Sequence, residues 1–115
     1  VTFASDSGKV AGAWQTMVGA PKASIMMFTR ALAMEVANKG VSVNCVSPSY
    51  VKGTDIYDTI AEGSGGERVA RAEARAGLGL PDAGDVARLA VFLSSPWAAH
   101  LTGQVISING GITAA

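Results

Sequence analysis

The chain has 115 residues, nine basic and nine acidic side chains, and zero formal net charge. Hydrophobic residues make up 49% and charged residues 16%, which excludes a disordered chain and fits a single packed domain over residues 1–115. The charge balance argues against a nucleic-acid binder, which needs a basic surplus to meet phosphates.

The opening "VTFAS" reads as a strand over residues 1–5, and as the interior of a sheet rather than a natural start. A longer N-terminal part is expected to precede it. "SDSGKVAG", residues 5–12, is polar and turn-rich and reads as a loop. From Trp14 to Asn38 the pattern is helical. Gly19 and Pro21 fall early, where missing N–H partners are tolerated, and Gly40 ends the helix beside Lys39. Ile25, Phe28, Leu32 and Val36 form one apolar stripe, and Met26, Met27, Ala33 and Ala37 widen it. Such a helix is expected to be covered on two sides, by a sheet and by something else, such as another subunit.

"VSVNCVS", residues 41–47, is a strand with the continuous apolar character of a parallel strand buried on both faces. After Pro48 the stretch "SYVKGTDIYDTIAEGSGGE" reads as irregular, with Ser64, Gly65 and Gly66 marking mobility. Residues 67–76 resume a helical pattern. "LPDAGDVARLAVFLSS", residues 80–95, holds another helix with Asp82 as N-cap, and "GQVISING", residues 103–110, is a third strand. Strands alternating with helices predict an α/β fold with a parallel sheet of about three strands, thin enough to leave an edge and some helix faces open.

One cysteine, Cys45, permits no internal disulfide and reads as an inert buried thiol in a cytoplasmic protein. No cluster has metal-ligand spacing, and no apolar run approaches the ~20 residues of a membrane span.

Four segments resemble the C-terminal half of the short-chain dehydrogenase/reductase family. "SVNCVSPSYV" is similar to its R-V-N-x-[VI]-x-P-G-x-[VI], and "DVARLAVFLSS" to its D-V-A-x-x-V-x-F-L-x-S. "HLTGQVISINGG" is similar to its Y-x-T-G-Q-x-x-x-V-D-G-G, and "PKASIMMFTRALAMEVANKGV" to its S-K-A-G-led helix. The resemblance spans nearly the whole chain. It implies a Rossmann-like, doubly wound parallel sheet, with the glycine-rich cofactor loop belonging to an N-terminal half absent from this sequence.

The family moves a hydride between a nicotinamide and a hydroxyl/carbonyl pair. Its acid/base is the tyrosine of Y-x-x-x-K. The lysine lowers the phenol's pKa and holds the ribose, and a serine thirteen residues before the tyrosine binds the substrate oxygen. Carried over, Ser5 and Lys22 match the serine and lysine, but Val18 occupies the tyrosine position. An isopropyl group transfers no proton. The wider spacing of the enoyl reductase branch places Gln15 there instead, which is no acid either.

Lys22, Pro48, Val51 and Thr54 are the implied cofactor contacts. Ser49 replaces the glycine after Pro48, Gly53 stands where a threonine is expected with Thr54 one later, and Asn109 replaces the aspartate of D-G-G. Tyr50 is the first candidate for a substitute acid, ahead of Tyr57 and of His100, which falls on a side used for subunit packing. Packing or surface roles remain open for these three, as does a cap role for Ser5 and a carbonyl-paired structural role for Lys22.

The resemblance and its departures together imply a non-catalytic subunit that assembles with a catalytically complete homologue. Contacts would run through residues 14–38 and 85–111, in a homo- or hetero-oligomer, dimer or tetramer. The chain would bind NAD or NADP, or no dinucleotide by itself. The alternative is an active oxidoreductase with a non-standard proton donor such as Tyr50 or a water held by Lys22 and Ser5. A nucleotide-binding sensor without turnover is a third possibility.

Overall fold

A computed structural model describes all of residues 1–115. Three parallel strands, β1 (Thr2–Phe3), β2 (Cys45–Pro48) and β3 (Val105–Ile108), form one sheet in the order β1-β2-β3. Thr2 lies opposite Cys45, Cys45 opposite Val105, and Pro48 opposite Ile108. The connections carry helices α1 (Thr16–Val36), α2 (Asp55–Glu62), α3 (Gly66–Arg75) and α4 (Ala83–Leu93).

The central strand explains the architecture. Successive side chains of a strand point to opposite faces. Cys45 faces one way and packs with Ala4 and Met26 under α1. Val46 faces the other way and packs with Leu93 and Ala98 under α4. Both are fully buried, and so are the polar Asn44 and Ser47 that flank them, as a parallel strand covered on both faces requires. The sheet is therefore wound on both faces, as predicted.

The strands are shorter than the sequence suggests. The pairing of β1 stops at Phe3, although Ala4 still donates its N–H to the Val46 carbonyl at 2.9 Å. Residues 41–44 run outside β2 because side chains take over the bonding. Asn44 Nδ2 donates to the Leu101 carbonyl at 2.7 Å, its Oδ1 accepts from the Gln104 N–H, and the Val43 N–H donates to Thr102 Oγ1.

The long helix starts at Thr16 rather than Trp14. Trp14 has φ 66°, a left-handed conformation in which a β-carbon is strained, so the turn preceding the helix ends there. Pro21 consequently lies in the second turn and removes one helical bond from the ladder. At the far end α1 tightens into a 3₁₀ turn, Ala37–Lys39, and closes on Gly40 at φ 72°.

The buried stripe of α1 is Met26, Thr29 and Ala33, flanked by half-buried Lys22, Ile25, Leu32 and Val36. Phe28 belongs to the opposite face and is 57% exposed. Met17, Met27 and Met34 join it there. The predicted second apolar face exists and points to solvent.

The stretch after Pro48 is the largest departure from expectation. It is an ordered helical hairpin. Thr54 caps α2 by accepting the Tyr57 N–H, a tight turn at residues 63–65 reverses the chain, and α3 packs back with Val69 and Ala72 buried. Gly65 is itself buried, with no room for a β-carbon beside Ile60. The glycines there serve a close helix–helix turn.

The Asp82 cap is as predicted. Its side chain accepts the Asp85 N–H at 2.8 Å, while the Asp85 carboxyl accepts the Asp82 N–H at 3.0 Å. This reciprocal box satisfies two first-turn donors of α4.

Candidate functional site

The carboxyl ends of parallel strands are where an α/β sheet leaves a crevice, because the chain departs there toward helices on both faces. In this molecule that crevice is a cleft of about 960 Å³. One wall comes from Ala4 and Ser5 after β1 and from the first turns of α1. The floor is Pro48 to Val51 after β2, and the far wall is the α2–α3 hairpin.

Every residue singled out for chemistry except His100 borders this cleft: Ser5, Gln15, Val18, Lys22, Pro48, Tyr50, Val51, Thr54 and Tyr57. Val18 and Lys22 are one helical turn apart, so they share a face and both reach it. His100 is exposed, two residues beyond a 3₁₀ turn at Pro96–Ala98, and takes no part.

Backbone contact fixes this wall. After Ser5 the chain makes a 3₁₀ turn, Asp6–Gly8, which lies directly against α1. A β-carbon on Gly8 would stand 2.7 Å from the Ala23 nitrogen, and one on Gly19 would stand 2.7 Å from the Ser7 carbonyl oxygen. Only glycines permit that approach. It holds the Ser5 turn against the helix segment bearing Val18 and Lys22. Ser5 also caps its own turn, accepting the Ser7 N–H at 3.4 Å.

Lys22 is half-buried and forms none of the chain's three ion pairs, which join Lys52 to Glu73, Arg71 to Glu67 and Arg88 to Asp85. Thr54 is already engaged by the fold. Its hydroxyl donates to the Val51 carbonyl at 2.9 Å and accepts the Tyr57 N–H at 3.3 Å.

Tyr57 is tied to the far wall. Its phenol donates to Glu73 Oε1 at 2.9 Å, and Lys52 Nζ lies 3.1 Å from the same oxygen. The bond to Glu73 raises the phenol above its ordinary value of 10.0 and makes it a poorer proton donor. The two partners in turn hold the Glu73 carboxyl below its usual range. Tyr50, half-buried on the floor, is the cleft's other phenol.

One residue on the wall was not anticipated. Asp6 reads in the sequence as part of a polar turn, yet it is 6% exposed. Its Oδ2 accepts from Asn109 Nδ2 at 2.7 Å and from Thr113 Oγ1 at 3.2 Å. Its Oδ1 is buried without a partner.

A doubly wound sheet with a lysine-bearing helix beside the strand ends defines the class as a dinucleotide-fold domain. A family model described as enoyl-(acyl carrier protein) reductase matches residues 1–113. The chain is 40% identical over 111 residues to an acetoacetyl-CoA reductase of Shinella zoogloeoides, covering 96% of this chain and 45% of that protein. It is 35% identical over 113 residues to a 3-oxoacyl-[acyl-carrier-protein] reductase of Chlamydia pneumoniae, covering 98% of this chain and 44% of that protein. Among solved structures, the F189W actinorhodin polyketide ketoreductase with NADPH superposes with TM-score 0.86 and 30% identity, over 98% of this chain and 46% of that one. A short-chain type dehydrogenase/reductase from Mycobacterium ulcerans gives TM-score 0.86 at 28% identity, over 96% of this chain and 39% of that one. The chain belongs to the short-chain dehydrogenase/reductase family, and it spans less than half the length of these relatives.

Proposed function

We propose that this chain is the substrate-facing portion of a short-chain dehydrogenase/reductase unit that has lost its acid/base. It serves as a non-catalytic subunit beside a catalytically complete homologue. The observation that carries this reading is Val18. It stands one turn before Lys22 on the cleft wall that also bears Ser5, where the family places its tyrosine. Removing a positioned acid/base typically lowers a rate by 10²- to 10⁴-fold.

Lys22, free of any ion pair, suits the ribose of a nicotinamide nucleotide, NAD or NADP, together with Pro48 and Val51 on the floor. Held by those residues, such a nucleotide would bring hydride chemistry to the cleft. Ser5 would orient the substrate oxygen. Relatives named as 3-oxoacyl-[acyl-carrier-protein] and acetoacetyl-CoA reductases favour a 3-oxoacyl thioester as the ligand class. The exposed apolar face of α1 (Met17, Met27, Phe28 and Met34) and Val91, Phe92 and Trp97 at and beyond the end of α4 favour assembly through residues 14–38 and 85–111. An aqueous cytoplasmic setting accords with a chain in which no helix is long and apolar enough to cross a membrane.

A second reading keeps turnover, with Tyr50 as the proton donor. Its place on the cleft floor favours it over Tyr57, whose proton is committed to Glu73. Reduction of acetoacetyl-CoA with NADPH and with NADH, followed for the purified protein and for Tyr50→Phe, separates the two. The non-catalytic reading expects background rates from both. A wild-type rate that Tyr50→Phe abolishes establishes the second.

A further inference from the structure

We propose that Arg68, Arg71 and Arg75 of α3 form a phosphate-binding wall, which receives the anionic arm of a coenzyme A-type acyl thioester. The proposal rests on reading the cleft as the ligand site and extends that reading to the charged part of the ligand.

The chain as a whole is electrically balanced, with nine basic and nine acidic residues. The cleft is not. Lys22, Arg68, Arg71 and Arg75 line it, against a single acidic residue, Asp6. Asp6 is 6% exposed and already bonded to Asn109 and Thr113, whereas the three arginines are exposed. A guanidinium is charged at any pH a protein survives. A neutral molecule thus carries a cleft of one sign, and a cleft concentrates such a field on what enters it.

The sequence of α3 produces this placement. Positions 68, 71 and 75 are spaced by three and four, so they share one helix face. Val69, Ala72 and Ala76 are buried and fix the rotation of the helix. The acidic residues of the same helix, Glu67 and Glu73, do not line the cleft. Glu73 is engaged by Lys52 and Tyr57. Arg68 and Arg75 make no ion pair. Arg71 pairs with Glu67 at 3.2 Å, but that pair is exposed to water and therefore weak, so an incoming anion displaces it at little cost. The planar fork of a guanidinium matches the oxygens of a phosphate.

The two walls suit the two ends of one molecule. Ser5 and Lys22 face the reacting oxygen, which is neutral. The α3 arginines stand on the opposite wall and suit an anion. A coenzyme A thioester has a neutral acyl end and phosphates at the far end of a flexible pantetheine arm. A small ketone would use the first wall alone. The phosphates of a dinucleotide are the other source of the same chemistry, and the experiment separates the two.

Calorimetry on the purified protein measures dissociation constants for acetoacetyl-CoA and for acetoacetyl-pantetheine, which keeps the acyl group and the arm but has no phosphate. The pair is measured again on a variant combining Arg68→Gln, Arg71→Gln and Arg75→Gln. Glutamine retains helix propensity and removes the charge. NADPH is titrated into the same samples, and circular dichroism verifies that the variant folds.

The wild type is expected to bind acetoacetyl-CoA at least about tenfold more tightly at low salt, the worth of one charge-assisted hydrogen bond. That ratio is expected to shrink as salt rises. The triple variant is expected to bring it close to one by weakening the CoA thioester alone. Equal wild-type affinities, or a ratio that survives the triple substitution, overturn the arginine wall while leaving the cleft as the ligand site. A variant that loses affinity for NADPH and keeps the thioester ratio also overturns it, and gives the arginines to the dinucleotide. Absence of binding by both thioesters overturns the ligand-site reading itself, and the arginine wall with it. The wild-type ratio and its salt dependence stand as tests even if the variant does not fold.

Discussion

The wall carrying Ser5, Val18 and Lys22 and the wall formed by the α2–α3 hairpin face each other across one cleft but are held in different ways. The first is fixed by backbone contact, with Gly8 and Gly19 letting the Asp6–Gly8 turn touch α1 and with Asp6 clamped from the C-terminal segment. The second is a polar hairpin, steadied by Val69 and Ala72 beneath and by the exposed Lys52–Glu73–Tyr57 group above. The contrast separates two tasks. Chemistry needs groups held to fractions of an ångström, which close backbone packing provides. A wall that takes no part in the chemistry can rely on exposed charges, whose attraction is weak and screened. The wall held by backbone contact is also the one that carries Val18, where the proposed reading misses a proton-transferring group.

The largest expected effect comes from restoring that group. Val18→Tyr, assayed in the native assembly with NADPH and acetoacetyl-CoA, is expected to raise the turnover of this site by about 10²- to 10⁴-fold. The backbone-built wall should next show itself in stability. A β-carbon at Gly8 meets main chain that cannot yield cheaply, so Gly8→Ala is expected to cost about 1–3 kcal/mol in denaturant unfolding. Asp82→Ala removes the α4 cap, away from the precise wall, and is expected to cost about 1 kcal/mol in the same experiment.

The smallest effects belong to the hairpin. Glu73→Gln should leave the unfolding midpoint at neutral pH nearly unchanged and move the Tyr57 phenol down toward 10.0, read by ultraviolet titration. In the wild type the Glu73 carboxyl is held below its ordinary 4.5. Its folded form therefore favours the charged state. The stabilisation it gives is complete above 4.5 and fades as pH falls through the lowered folded value. Glu73→Gln should flatten only that acidic part of the stability profile. A large loss at neutral pH would mean that the hairpin, too, is held by precise packing.

Much of this architecture is legible from local chemistry. The nearly continuous apolar run "VSVNCVS" identifies a strand buried on both faces, and Asp82 identifies the start of α4. The helix α2 is harder to read because glycines bracket it. Gly53 and the 63–66 turn suggest irregularity, while the actual cue, Thr54 before "DIYDTIAE", is a cap whose helix is only eight residues long. Phe28 is misplaced by its own helix, since apolar residues all round α1 leave the phase of the buried stripe undetermined. Ser5, Val18 and Lys22 were picked out by the family resemblance, whose spacings of thirteen and four they keep, and all three border the cleft. Asp6 was not, because its burial depends on Asn109 and Thr113, more than a hundred residues away in the chain.

The central claim is that this chain keeps the family's scaffold for assembly while position 18 no longer serves catalysis. Native mass spectrometry of the protein purified from its source, with NADPH titrated into the same sample, tests it most directly. The account predicts a mixed assembly containing a second, related chain, with no dinucleotide held by this chain when it is separated from that partner. A chain found alone or only with copies of itself, binding NADPH and reducing acetoacetyl-CoA, would contradict it.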